Sequence, residues 1–178
     1  MNTNTKQAIR QLTKVKVLAL SVSERIEKEI AIFTQIEKLS LFREAKHILC
    51  FWALPDEVNT AIFIRKWHTE KQFYLPVVKG DSLVVKPFTS INELKKGAFA
   101  INEPTSETKA ALSHMDMIIV PGVAFDTNGN RLGRGKGFYD KLLCQQAKPT
   151  IGLAYKEQIY ESLPTEKHDI KLDMVISA

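Results

Sequence analysis

Residues 117–140 read MIIVPGVAFDTNGNRLGRGKGFYD. Met117–Val120 is a short run of apolar, mostly β-branched residues, which reads as a buried strand. Pro121-Gly122 closes it, because neither residue continues a ladder well. A loop follows that carries Gly129, Gly133, Gly135 and Gly137, with Arg131, Arg134 and Lys136 between them. From Gly137 to Gln146 the chain can form a helix. The unit is therefore strand, glycine-rich loop, helix.

The same alternation recurs on both sides. Upstream, Ile48–Ala53 (ILCFWA) reads as a second buried strand and Val58–Trp67 as a helix. Gln72–Val78 and Leu83–Phe88 read as strands, and Pro76 and Pro87 limit how centrally those two can pair. Downstream, Thr150–Tyr155 and Met174–Ser177 read as strands. The first 40 residues differ. Thr5 to about Ala19 can form a basic helix with Ile9, Leu12, Val15 and Ala19 at helical spacing. Ser21-Val-Ser-Glu24 fits a capping box, and Ile26, Ile30, Phe33 and Ile36 mark one face of a second helix. Alternating strands and helices predict an α/β fold: a single layered domain, residues 1–178, with a mainly parallel sheet flanked by helices and a helical pair at the N-terminus. Ligands in such sheets bind beyond the carboxyl ends of the strands. That places the loops after Ala53 and Val120 in the expected cleft.

With 178 residues the chain can bury a sizeable core. No apolar run approaches the roughly 20 residues of a membrane span, and MNTNTKQAIRQL lacks a signal peptide's apolar stretch. The expectation is a cytoplasmic protein without membrane partners. Cys50 and Cys144 form no C-x-x-C pair, which argues against zinc and for two free thiols in or near the core. His47, His68, His114 and His168 have no metal-ligand spacing. The net charge of +5 favours anionic partners without choosing among them.

The glycine loop narrows the choice to phosphate. Glycine lets backbone N–H groups approach an anion, and the interleaved cations offset its charge. Two common nucleotide motifs fail. In G-x-x-x-x-G-K-[ST], Asn130 stands at the first glycine and Gly137 follows the lysine. In G-x-G-x-x-G, Phe138 takes the last position. An exposed turn or an RNA-binding loop stays open on residue types alone, although the chain lacks an aromatic platform for single strands.

NRLGRGKGFYD, preceded by MIIVPGVAFD, closely resembles the signature of the 5-formyltetrahydrofolate cyclo-ligase (methenyltetrahydrofolate synthetase) family. The resemblance runs along nearly the whole chain, in order. Lys6 and Arg10 look like the family's N-terminal basic pair. Phe51 to Thr60 (FWALPDEVNT) looks like its strand followed by Glu-Val-Asp-Thr, with Asn59 in place of the acid. Phe73–Pro76, Ile101–Pro104 and Lys171–Asp173 have counterparts too.

The resemblance implies an ATP-dependent cyclisation of 5-formyltetrahydrofolate to 5,10-methenyltetrahydrofolate, with ADP and phosphate released. ATP would meet Lys6, Arg10 and residues 131–139: Arg131, Leu132, Gly133, Arg134, Gly135, Lys136, Gly137, Phe138 and Tyr139. Arg134 and Lys136 would be catalytic. The folate would meet Trp52, Glu57, Arg134 and Tyr139. Asp140 and Asp173 would hold Mg²⁺. On residue type alone, Lys6 and Arg10 read as an exposed helix face. Trp52 stays open between core and site, Asp140 between metal ligand and first-turn helix charge, and Asp173 between metal ligand and surface, while Glu57 reads as a ligand carboxylate ahead of a helix-start charge. The remaining expectations are a monomer, no nucleic-acid partner and small-molecule substrates only.

Overall fold

The computed structural model describes residues 5–144 and 147–178. Helix α1 (Lys6–Leu18) starts where the Thr5 hydroxyl accepts the Ala8 N–H. Helix α2 (Val22–Lys38) starts at the expected capping box, Ser21 and Glu24 each bonding the other's backbone N–H. A short α3 (Ser40–Glu44) leads into β1 (His47–Leu49). Next come α4 (Thr60–Trp67), the hairpin β2 (Gln72–Lys79) and β3 (Ser82–Pro87), and a smaller hairpin of β4 (Leu94–Lys96) and β5 (Asn102–Pro104). The chain continues through β6 (Met117–Val120), β7 (Ala124–Asp126), β8 (Arg131–Leu132), α5 (Phe138–Leu143), β9 (Thr150–Ala154), β10 (Ile159–Tyr160) and β11 (Met174–Ser177).

The main sheet has the order β11-β9-β6-β1-β2-β3. Its pairs are parallel except β2 with the edge strand β3. The expected, mainly parallel α/β fold is present. All four residues of β6 and all five of β9 are buried, as central parallel strands require. Pro76 lies beyond the three residues through which β2 pairs with β1, so it breaks no central ladder. A three-stranded sheet, β10-β7-β8, carries the glycine loop at its end.

Three readings are corrected. The buried line of α1 is Ile9, Thr13 and Val17, while Leu12 and Val15 face out. The buried line of α2 is Glu29, Ile32, Phe33 and Ile36, while Ile26 and Ile30 face out. In both helices a polar residue has gone inside because a tyrosine hydroxyl meets it: Tyr160 at Thr13 (2.6 Å) and Tyr155 at Glu29 (2.6 Å). A stripe drawn through apolar residues alone misses those positions. Third, the strand at 48–53 is shorter. Cys50 still donates its N–H to the Tyr74 carbonyl, but the chain then leaves the sheet. Helix α5 starts as expected; Gln145 and Gln146 of the anticipated helix lie outside the described residues. Cys50 sits in the core, where burial pushes its thiol up to about 12, whereas Cys144 is exposed.

Asp126 fixes the turn between β7 and β8. Its buried carboxylate accepts N–H groups from Asn128, Asn130 and Leu163 and the Asn130 side-chain amide. Burial alone would raise its pKa; these four donors outweigh it and hold the group below the ordinary carboxylate range. A depressed folded-state pKa contributes stability above the unfolded value, lost as pH falls through the folded one. Asp126→Ala is expected to destabilise the protein by about 3 kcal/mol, read as a lower urea midpoint.

Candidate active site

The carboxyl ends of β1, β2 and β6 open into a cleft of about 870 Å³. One wall is the segment after β1, with Phe51, Trp52, Leu54 and Glu57; Pro76, Val78 and Leu83 of the β2–β3 hairpin extend it. The other is the turn after β6 with the whole run from Arg131 to Asp140, and Lys6 and Arg10 of α1 close one end. Both expected loops line the cleft.

The glycine loop is built by local conformation and by cations used as struts. Gly135 (φ +92°) and Gly137 (φ +67°) adopt left-handed backbone that other residues take only at a cost. Gly137 thereby caps α5. Arg10 Nε donates to the Gly133 carbonyl at 2.7 Å, joining α1 to the loop. Arg131 is buried, and its Nη2 donates to Asp140 Oδ1 at 2.7 Å. The same Oδ1 lies 3.4 Å from the Ile170 N–H. Arg131 Nε and the Tyr139 hydroxyl are buried without a hydrogen-bond partner among the described residues. Burial pushes the Tyr139 phenol far up, so it stays protonated and can donate. Lys136 projects from the exposed part of the loop.

Lys6 is held by Asp169 at 2.7 Å and Glu166 at 2.8 Å. Burial alone would lower its pKa, but these two acids raise it. Lys6 is thus a fixed cation at the cleft wall rather than a loose surface residue.

The opposite wall concentrates negative charge. Glu57 and Asp56 are each only 8% exposed. Arg134 Nη2 donates to Asp56 Oδ1 at 2.6 Å and to Glu57 Oε1 at 3.1 Å. Glu57 Oε2 accepts the Leu54 N–H, which folds the 54–57 turn onto its own carboxylate. Burial pushes the Glu57 carboxyl above the ordinary range, against the Arg134 charge and the Leu54 N–H, which pull it down. Trp52 does two things at once: it packs on the core and it lines the cleft.

The structure thus gathers Lys6, Arg10, Trp52, Glu57 and residues 131–140 around one space. It does not bring Asp173 there. Asp173 Oδ2 accepts both the N–H and the hydroxyl of Thr150, at 2.8 and 2.7 Å. Thr150 and Asp173 stand at the amino ends of β9 and β11, so parallel pairing puts them at the opposite edge of the sheet from the cleft. The expected carboxylate pair is not brought together: Asp140 lines the cleft and Asp173 does not. Sequence reading missed Asp56, Glu166 and Asp169. Asp56 was legible beside Glu57 as a second acid after a strand. The others are far in sequence from what they meet.

The sequence profile of the 5-formyltetrahydrofolate cyclo-ligase family matches residues 2–178. This chain belongs to that family. It is 31% identical to the mouse 5-formyltetrahydrofolate cyclo-ligase over 96% of this chain and 92% of that protein. It is 32% identical to the Haemophilus influenzae cyclo-ligase over 97% of both. The solved structure of Aquifex aeolicus 5,10-methenyltetrahydrofolate synthetase superposes with a TM-score of 0.88 at 32% identity, covering 97% of this chain and 89% of that one. A Mycoplasma pneumoniae synthetase shares the fold at a TM-score of 0.79. Among the described residues of this cyclo-ligase family member, no helix is long and apolar enough to cross a membrane.

A ¹³C NMR titration is expected to place the Glu57 carboxyl above the ordinary carboxylate range. Because its pKa is raised on folding, its ionisation costs stability that is intact at low pH and lost as pH rises through the folded value. In Arg134→Met the inflection moves further up. An inflection that stays put contradicts the coupling.

Proposed function

We propose that the cleft performs the ATP-dependent cyclisation of 5-formyltetrahydrofolate to 5,10-methenyltetrahydrofolate, with release of ADP and phosphate. The observation that carries this reading is the pairing of a cationic glycine loop with a buried acidic wall across one space. A triphosphate and a pterin rich in N–H donors need opposite surroundings, and the cleft offers both.

The N5-formyl group is amide-like, so its oxygen is a poor leaving group. Attack of that oxygen on the γ-phosphorus converts it to a phosphate ester as ADP departs. N10 then attacks the formyl carbon and loses its proton, and phosphate leaves with the former formyl oxygen. No protein nucleophile is needed; alignment and charge stabilisation suffice. Lys136 and Arg134 are assigned to the transferring phosphoryl group. Lys6, Arg10, Arg131 and the N–H groups of residues 133–137 hold the rest of ATP, flanked by Leu132, Phe138 and Tyr139. Glu57 accepts pterin N–H groups, Trp52 covers the ring, and the protonated Tyr139 hydroxyl supplies a donor.

Among the described residues no three His, Cys, Asp or Glu side chains gather as a metal cage. Mg²⁺ suits this cleft all the same, because it binds through one or two carboxylates plus substrate phosphates. Asp140, which lines the cleft next to the loop, would hold the ion, and the ion would offset phosphate charge. On this reading the chain acts as one domain, monomeric and cytoplasmic, on two small anionic substrates and on no nucleic acid.

Mixing the protein with Mg-ATP and 5-formyltetrahydrofolate should generate methenyltetrahydrofolate absorbance; folded protein that forms none contradicts the proposal. Lys136→Ala is expected to lower kcat/KM by about 100-fold with an unchanged unfolding midpoint. Near-wild-type turnover removes Lys136 from the phosphoryl site.

A further inference from the structure

The turn that presents Glu57 rests on a second buried acid. Glu29, on α2, is 5% exposed. Its Oε1 accepts the Tyr155 hydroxyl at 2.6 Å and the Asn59 N–H at 3.2 Å. A carboxylate served by neutral donors is costly to bury, and an apolar side chain at this position of α2 would avoid that cost. The cost therefore needs a return, and the partners indicate one. Asn59 lies two residues past Glu57, and the Glu57 carbonyl is 3.4 Å from the same Tyr155 hydroxyl. The Tyr155 ring is wholly buried, at the carboxyl end of β9.

From Tyr155 the network reaches the other wall. The Tyr155 N–H donates to Gln158 Oε1 at 2.9 Å. The Gln158 amide, 1% exposed, donates to the carbonyls of Gly122 and Val123 at 3.0 and 3.1 Å. Gly122 lines the cleft. One buried polar chain thus runs beneath the floor, from the 57–59 turn to the 122–123 turn. A fully satisfied buried network fixes geometry more tightly than apolar packing does.

We infer that Glu29 is a positioning residue: through Tyr155 and Asn59 it sets the turn that presents Glu57, and so tunes binding of 5-formyltetrahydrofolate and not of ATP. This rests on Glu57 being the folate-side carboxylate. Glu29, Tyr155, Asn59 and Gln158 do not line the cleft; they act through the turns they hold.

The test is steady-state kinetics of the full chain with each substrate varied in turn. Glu29→Ala and Tyr155→Phe are expected to raise KM for 5-formyltetrahydrofolate about tenfold and to leave KM for ATP unchanged. Glu29→Gln keeps a carbonyl acceptor for both donors and restores most of the folate affinity. Tyr155→Phe keeps the ring's packing, so it carries the test if Glu29→Ala does not fold. An unchanged folate KM in Tyr155→Phe overturns the inference. So does a parallel rise in both KM values, or a Glu29→Gln form no better than Glu29→Ala. A wild-type chain that turns over neither substrate removes the cyclo-ligase reading and the inference together, whereas an active wild type with unmoved variants removes the inference alone.

Discussion

Two carboxylates, Asp56 and Glu57, are buried at the carboxyl end of β1, and a single guanidinium, Arg134, meets both. The rest of the cleft follows from that bridge. Buried acids need a cation within hydrogen-bond reach, and the cation has to come from across the cleft. The glycine loop can deliver it only because its own backbone is tied down elsewhere, by Arg10 at Gly133 and by Arg131 at Asp140. The walls are therefore joined by an ion bridge as well as by apolar packing of α5 against β3. Such a joint can be exchanged: an anion would compete for Arg134, and N–H donors would compete for Glu57.

Much of this was legible because it is local. The strand at 117–120, the capping box at Ser21 and the spacing of glycines and cations in 129–137 are properties of neighbouring residues, and the structure shows the first two as read. The glycine loop lines the cleft at the carboxyl ends of the strands, where the alternation of strand and helix put it. What was illegible is non-local. Thr13 and Glu29 go inside because tyrosine hydroxyls from the far end of the chain meet them. Lys6 is fixed by acids some 160 residues away. Asp173 looked like a partner for Asp140, but strand direction places it at the amino ends of the strands, away from the cleft. Chain order carries no trace of that separation.

On the proposed function, the distribution of charge suits two anionic substrates. Cations from α1 and the loop gather on one side, and the buried acids Asp56 and Glu57 stand on the other, where a ring system rich in donors would meet them. A folate carboxylate or a nucleotide placed the wrong way round would meet like charge. The buried network of Glu29, Tyr155 and Gln158 supports that arrangement from beneath.

The central claim is that Glu57 and the glycine loop belong to different substrates. Calorimetric titration of Glu57→Gln with each ligand separately tests it most directly. The account predicts that binding of 5-formyltetrahydrofolate is lost while binding of Mg-ATP is retained. Loss of both, or of neither, would contradict it.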